Sequence, residues 1–285
     1  MTGTGVPSWL TCANRKLVLL APPSARIPTF GAADYDPEIY DLLIAEMQRL
    51  RGSAYLEDGA IQDSDLTPDG RHISSVDEKA WHVLLIDADG QVSGCARYLS
   101  HPHDASFSDL VIHHSALARD PRWGGKLRRA VDLDVALARN RGISYVEVGG
   151  WALHKSVRCT REALRIALAT YALARNLGGC IGISTVTVRH CSANILQKIG
   201  GHMLEFAGVP MPYYYDPQYQ CDMAMLRFES NQPSGRYENW IEHLRQQLMA
   251  VPIFYKPAIH ESDAHSFQPL AQDWHPMAQD MLAFA

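Results

Sequence analysis

The run Glu147-Val148-Gly149-Gly150-Trp151-Ala152-Leu153 combines residue types that could do chemistry together. A carboxylate set beside apolar walls becomes a better proton acceptor, because desolvation disfavours its charge. Paired glycines inside a strand weaken its ladder, so Gly149 and Gly150 need a reason. One reason is a bulge that relieves sheet strain. The other uses the same bulge to splay the strand from its neighbour, leaving backbone N–H groups on a cleft where a thioester or pantetheine amide can accept them. Lys155 and Arg158 follow in a loop, and Thr160 and Arg161 open the next helix. A helix amino terminus concentrates unpaired N–H donors and suits a phosphate. Without a ligand, the same basic residues are a solvated surface loop.

The elements that would position these residues are legible from periodicity. Asp36-Pro37 reads as an N-cap followed by a first-turn proline, and Ile39, Leu42, Leu43, Met47 and Leu50 recur at helical spacing. Arg49 and Arg51 close that helix against its dipole, and the polar stretch 52–79 reads as loop. Segments 81–86 and 92–99 form a hairpin about Asp87-Ala88-Asp89-Gly90. A weakly helical stretch, 108–118, precedes a helix over 126–140. The strand 143–153 leads through its loop into a helix capped by Thr160, with Leu164, Leu168, Tyr171 and Ala172 on one face. A strand over 180–188, a short helix over 192–198, strands over 203–206 and 221–228 and a helix after Pro233 follow. Residues 1–30 read as a low-structure leader, 31–250 as one domain and 251–285 as a carboxy-terminal tail.

Composition sets outer limits. The 285 residues are 47% apolar and 20% charged, as expected of a chain that buries a core. The formal charge of −5 argues against a protein that coats nucleic acid, since such binding rests on a basic excess. No apolar run is long enough for a signal-peptide core or a membrane span, so a cytoplasmic location is expected. The six cysteines include no CxxC pair and read as free thiols. Cys95 and Cys159 are the alternative nucleophiles, with His154 near Cys159 in sequence. Among thirteen histidines, His101-Pro102-His103-Asp104 and His113-His114 are the densest groups, yet their spacing matches no helical metal motif, and no metal is expected.

Three segments resemble the acyl-homoserine-lactone synthases and the long-chain N-acyl amino acid synthases, within the GNAT (N-acetyltransferase-like) fold. Gly94-Cys95-Ala96-Arg97-Tyr98-Leu99 resembles their Gly-Ser-x-Arg-Leu strand, and the Glu147 run resembles their Glu-x-Ser-Arg-Phe-x-Val strand. Pro212-Tyr213-Tyr214-Tyr215 falls where N-acyl amino acid synthases have a late substrate loop. The likeness spans roughly residues 40–230. Gly149-Gly150 stands in place of Ser-Arg, and the acidic Asp-x-Phe-Asp element is reduced to Asp77-Glu78, which favours an N-acyltransferase in general over an autoinducer synthase. The resemblance implies an α/β (α+β) three-layer fold, a central mixed, mostly antiparallel sheet flanked by helices.

It also implies roles. Glu147 is the general base, direct or through a water; on a regular strand it shares a face with Tyr145, Gly149 and Trp151. Its alternative is a salt bridge to Arg97, which otherwise binds the carboxylate of an amino acid acceptor through its bidentate fork. Gly149, Gly150, Trp151, Arg158, Thr160, Arg161 and Thr185 form the donor-binding set, with Ser184 and Thr187 beside Thr185. Tyr214 would protonate the leaving thiolate, or pack with Tyr213 and Tyr215 along the acyl pocket. No cofactor is tightly bound; acyl-CoA or acyl-phosphopantetheine is the co-substrate. Acyl carrier protein, being acidic, is a partner that Arg122, Lys126, Arg128 and Arg129 could meet, if they are more than a solvated helix face. A catalytically inactive acyl-ligand sensor or interaction module on the same fold is the competing reading.

Overall fold

Apolar runs with turn chemistry between them become strands, and 3.6-residue stripes become the helices that cover the sheet. The computed structural model describes residues 15–25 and 30–256. In chain order these form β1 (Lys16–Leu20), β2 (Ala32–Tyr35), α1 (Pro37–Glu57), β3 (Trp81–Ile86) and β4 (Val92–His101). Two short 3-10 turns, Phe107–Asp109 and Val111–His114, precede α2 (Ala116–Arg119) and α3 (Gly124–Asn140). A βαβ unit follows: β5 (Ser144–Leu153), α4 (Arg161–Asn176) and β6 (Cys180–Thr187). Then come α5 (Ser192–Ile199), β7 (His202–Met203), β8 (Glu205–Phe206), β9 (Val209–Pro210), β10 (Tyr214–Asp216), β11 (Cys221–Glu229), α6 (Glu238–Leu248) and β12 (Pro252–Tyr255).

The main sheet runs β10-β11-β6-β5-β4-β3-β1-β12-β2, with β7 also on β11. Three pairings are parallel, β5 with β6 and β12 with both β1 and β2; the others are antiparallel. Helices α4 and α6 bury Ile166, Leu168, Leu173, Ile241 and Leu244 against one face. On the other face α1 buries Tyr40, Leu43 and Met47, and α3 buries Leu127, Val131 and Val135. This is the expected fold class, a mixed, mostly antiparallel sheet between helical layers.

Both proposed end segments contribute to the sheet. β1, within the expected leader, lies between β3 and β12, and Leu17 to Ala21 are buried. β12, within the expected tail, is buried at Ile253 and Phe254. A strand covered on both faces has no period-two alternation to announce it. The rest of the leader (1–14, 26–29) and of the tail (257–285) lies outside the described residues.

Arg51 does not end α1, which continues for almost two further turns to Glu57. Its guanidinium is buried and forks onto Asp77, Nη1 to Oδ1 at 2.8 Å and Nη2 to Oδ2 at 2.6 Å. Nη2 also donates to His72 O. Gly52 lets the loop cross closely, since a Cβ there would fall 2.5 Å from Gly70 O. Gln48 Nε2 and Ser74 N–H complete the shell around the Asp77 carboxylate at 3.1 and 3.0 Å. Burial alone would raise that carboxyl, but the Arg51 hydrogen bonds and charge outweigh it and hold it at about 2. Beneath the cluster, fully buried His82 donates from Nε2 to Asp77 O at 2.7 Å, and burial pulls its imidazole down to about 4.

The sign of the pH effect follows. His82 titrates lower in the folded chain than its ordinary 6.5, so its contribution to stability is full above pH 6.5 and is lost as pH falls towards 4. We predict that this residue alone makes the protein about 2 kcal/mol less stable at pH 5 than at pH 7. His82→Gln, which keeps a donor but cannot titrate, should flatten that slope in urea unfolding; an unchanged slope would contradict the assignment.

Candidate active site

β5 and β6 pair from Ser144↔Cys180 to Glu147↔Ile183 and no further. Beyond that point β5 continues only along β4, as far as Leu153↔Gly94, and β6 only along β11, as far as Thr187↔Met223. Alternate residues of each freed edge therefore aim backbone N–H and C=O groups into a wedge. Three residue steps along β5 (Gly149 to Ala152) span only two along β4 (Arg97 to Cys95), which places a bulge at Gly150. Gly150 has φ +61°, the left-handed conformation that favours glycine, and a Cβ there would lie 3.2 Å from Arg97 Cβ. Buried Cys95 donates its thiol to Gly150 O at 3.3 Å, and burial pushes that thiol up to about 11. It braces the bulge as a protonated thiol, which removes it as the alternative nucleophile.

A cavity of about 340 Å³ occupies the wedge, lined by α4 residues on one side of the sheet and by the Val111–Ile112 turn on the other. Gly149, Gly150, Trp151, Ser184, Thr185 and Thr187 line it from the parted strands, together with Glu147, Arg97 and Tyr214. Its rear wall is apolar, with Ala167 and Tyr171 from α4, Leu196 from α5 and Phe228 from β11. A second cavity, about 460 Å³, shares Tyr55, Asp58, Trp151, Ser192 and Ile199 with the first and reaches Arg158, Cys159 and Thr160 at the start of α4. The bulge resets the pleat, so Trp151 packs with Val148 on the α4 side and does not share the face of Glu147 and Tyr145. The single face expected for Glu147 and Trp151 is corrected accordingly.

Glu147 sits at the apex of the wedge, buried. Its Oε1 accepts from Ile112 N–H at 2.9 Å, and its Oε2 from Val111 N–H at 2.8 Å and from His101 Nε2 at 2.9 Å. The expected alternative, a salt bridge to Arg97, is not formed. Arg97 instead shares Asp77 with Arg51 at 3.8 Å and donates from Nη1 to Ser74 Oγ at 3.2 Å. Its Nε is buried without a hydrogen-bond partner. A Cβ on Gly149 would come 3.6 Å from Arg97 Nη2, so the missing side chain keeps the space before the guanidinium open. Two guanidiniums against one carboxylate leave this wall net positive.

The donor-binding set divides. Thr185 faces the cavity, whereas Thr160 is occupied in capping α4, accepting from Glu162 N–H at 3.2 Å. Lys155 and Arg158 pair with Glu57 at 3.0 and 3.3 Å, and Arg158 also reaches Asp58 at 3.7 Å. The loop is therefore charge-matched to the carboxy-terminal end of α1, because that helix is longer than its stripe suggested. Arg161 is exposed. Tyr214 is half-buried on β10 and burial pushes its hydroxyl up, while Tyr213 and Tyr215 point outwards, more than half exposed. Of the basic cluster, Arg122 and Lys126 lie over the Trp123 ring and Arg128 meets Asp132 at 3.7 Å on the surface.

Several residues of the site carried no sequence signal. Arg51 read as a helix cap, and His101 as part of a metal-like cluster. Arg189 lines the cavity and ties the end of α1 to the turn before β11, donating to Asp58 O, Tyr219 O (3.0 Å) and Gln220 O (3.1 Å). Among the described residues no three His, Cys, Asp or Glu side chains gather as metal ligands, and no helix is long and apolar enough to cross a membrane.

No protein-family model matches this sequence, and no curated protein matches it. Solved structures do, at low identity. FeeM, an N-acyl amino acid synthase from uncultured soil microbes, is 14% identical over 76% of this chain and 92% of its own, with a TM-score of 0.42. The acyl-homoserine-lactone synthase LasI is 18% identical over 76% of this chain and 89% of its own, TM-score 0.44. BjaI, a CoA-dependent acyl-homoserine-lactone synthase solved with SAM and isopentyl-CoA, is 13% identical over 88% of this chain and 98% of its own, TM-score 0.48.

Proposed function

We propose that this chain is a cytoplasmic N-acyltransferase that moves an acyl group from a thioester, acyl-CoA or acyl-phosphopantetheine on a carrier protein, to the amine of an amino acid or similar small acceptor. The observation that carries the proposal is the parting of β5 from β6 immediately after Glu147, with a cavity through the gap. An extended pantetheine arm offers amides that the freed edge of β5 can pair, and N–H groups there polarise the thioester carbonyl. The acyl chain then turns into the apolar rear of the cavity, past Ala167, Leu196 and Phe228. The arm's phosphate end would run towards the start of α4, where Thr160 and Arg158 line the second cavity and Arg161 is exposed, and Arg158 would exchange Glu57 and Asp58 for it.

The acceptor lies on the other side of the wedge. Its carboxylate meets Arg97, on the net-positive wall that Arg51 and Asp77 support. Its amine, relieved of a proton by Glu147 directly or through a water, attacks the carbonyl carbon. As the tetrahedral adduct collapses, the C–S bond breaks and the departing thiolate takes a proton, with Tyr214, a residue of the cavity lining, as the proposed donor. One observation favours the inactive acyl-ligand sensor as a second reading: the Glu147 carboxylate already accepts three hydrogen bonds and so anchors the 111–112 turn.

Thiol release from acyl-CoA or acyl carrier protein, measured with a pool of amino acids, separates the two. Turnover with amide product supports the transferase; tight donor binding without thiol release supports the sensor. For the transferase, Glu147→Gln should lower kcat by about 100-fold, with the donor KM little changed. Arg97→Met should raise the KM of a carboxylate-bearing acceptor by about 10- to 100-fold and spare the matching decarboxylated amine. Equal effects on both amines would remove Arg97 from acceptor recognition.

A further inference from the structure

The three donors around Glu147 are not equivalent. Val111 N–H and Ile112 N–H can only hold the carboxylate, whereas the imidazole of His101 can also take a proton from it. Glu147 lines the cavity and His101 does not; the histidine stands behind it at the end of β4. The groups facing His101 are few. Glu147 comes from β5, and Tyr145 lies opposite in register, its hydroxyl pushed well up by burial and therefore neutral. From the 3-10 turn comes exposed Asp109, whose carboxyl is held low by the Ser106 N–H and the Ser106 hydroxyl.

Acyl transfer to an amino acid sets a proton balance. The acceptor arrives as an ammonium and leaves as an amide, losing two protons, while the departing thiolate takes up one. One proton per turnover must reach solvent from a cleft filled by substrate, and Glu147 holds only one at a time. We infer that His101 is the exit for that proton, a relay acting through Glu147. The resting imidazole carries its hydrogen on Nε2, donated to Oε2; once Glu147 is protonated, the ring moves that hydrogen to Nδ1 by exchange with water. Glu147 Oε2 passes a proton to Nε2, 2.9 Å away, and Nδ1 releases its own to water, leaving the carboxylate ready for the second deprotonation. This inference rests on the transferase reading and adds a residue that touches neither substrate.

His101→Gln tests it, because glutamine retains an N–H donor towards Oε2 but cannot take up a proton. Expected are a fall in kcat of about 10- to 100-fold, KM values of both substrates within about twofold, and a rate that rises with added imidazole buffer in the variant but not in the wild type. His101→Gly, which leaves room for free imidazole, is the second variant, and imidazole should restore most of its rate. Wild-type kcat in His101→Gln, or a loss that imidazole does not repair in either variant, would overturn the relay while leaving the transferase reading intact. Absence of thiol release by the wild-type protein would overturn that reading and the relay with it.

Discussion

Two parallel strands that stay bonded for four residue pairs and then separate impose the constraint on which the rest of the site depends. Separation leaves main-chain groups without a ladder partner, which is costly unless water or a ligand takes them. The wedge is nevertheless held from both sides. β5 stays paired with β4 on both sides of the Gly150 bulge and β6 with β11 from Ile181 to Thr187, so neither strand is free to swing back. At the apex, Glu147 joins β5 to the 3-10 turn at Val111 and Ile112 and to the end of β4 through His101. Beyond it, the Gly150 bulge adds local twist, and Cys95 fixes the bulge's carbonyl.

Electrostatics complement that geometry. Asp77 is a buried carboxylate that serves two guanidiniums, so Arg51 is neutralised within the fold while Arg97 retains unused hydrogen-bonding capacity. Removing one partner from a buried pair of this kind is strongly destabilising, because it leaves an uncompensated charge. The cluster therefore ties Arg51 into the fold and leaves the Arg97 guanidinium on the cavity wall. In the second cavity Arg158 is already matched by Glu57 and Asp58, and nearby Lys155 by Glu57, so an anion there would have to displace partners in place. The two cavities thus differ in what an anion would have to displace.

The sequence disclosed elements better than contacts. The β3–β4 hairpin, α4 with its Thr160 cap and the β6 strand were legible because each has a clean period and chemically marked ends. β1 and β12 were not, since strands buried on both faces lack alternation and lie in stretches rich in proline. The last turns of α1 were hidden because Arg51-Gly52 looks like a stop, although Arg51 is directed inwards by Asp77, a partner 26 residues away. Trp151 changed sides because one left-handed glycine shifts the pleat by a residue. The gap itself followed from Gly149-Gly150, whereas the partners of Glu147 come from a loop whose path no local pattern specifies.

The separated strands can be probed directly by amide hydrogen exchange over Val148–Trp151 and Ser184–Val186, with and without an acyl thioester. If the donor lies in the wedge, exchange should slow at alternate amides along those two edges while the Ser144–Val146 amides, already paired with β6, stay unchanged. Exchange at both edges that is indifferent to a thioester the protein demonstrably binds would mean that the ligand sits elsewhere, and the wedge would not be the site.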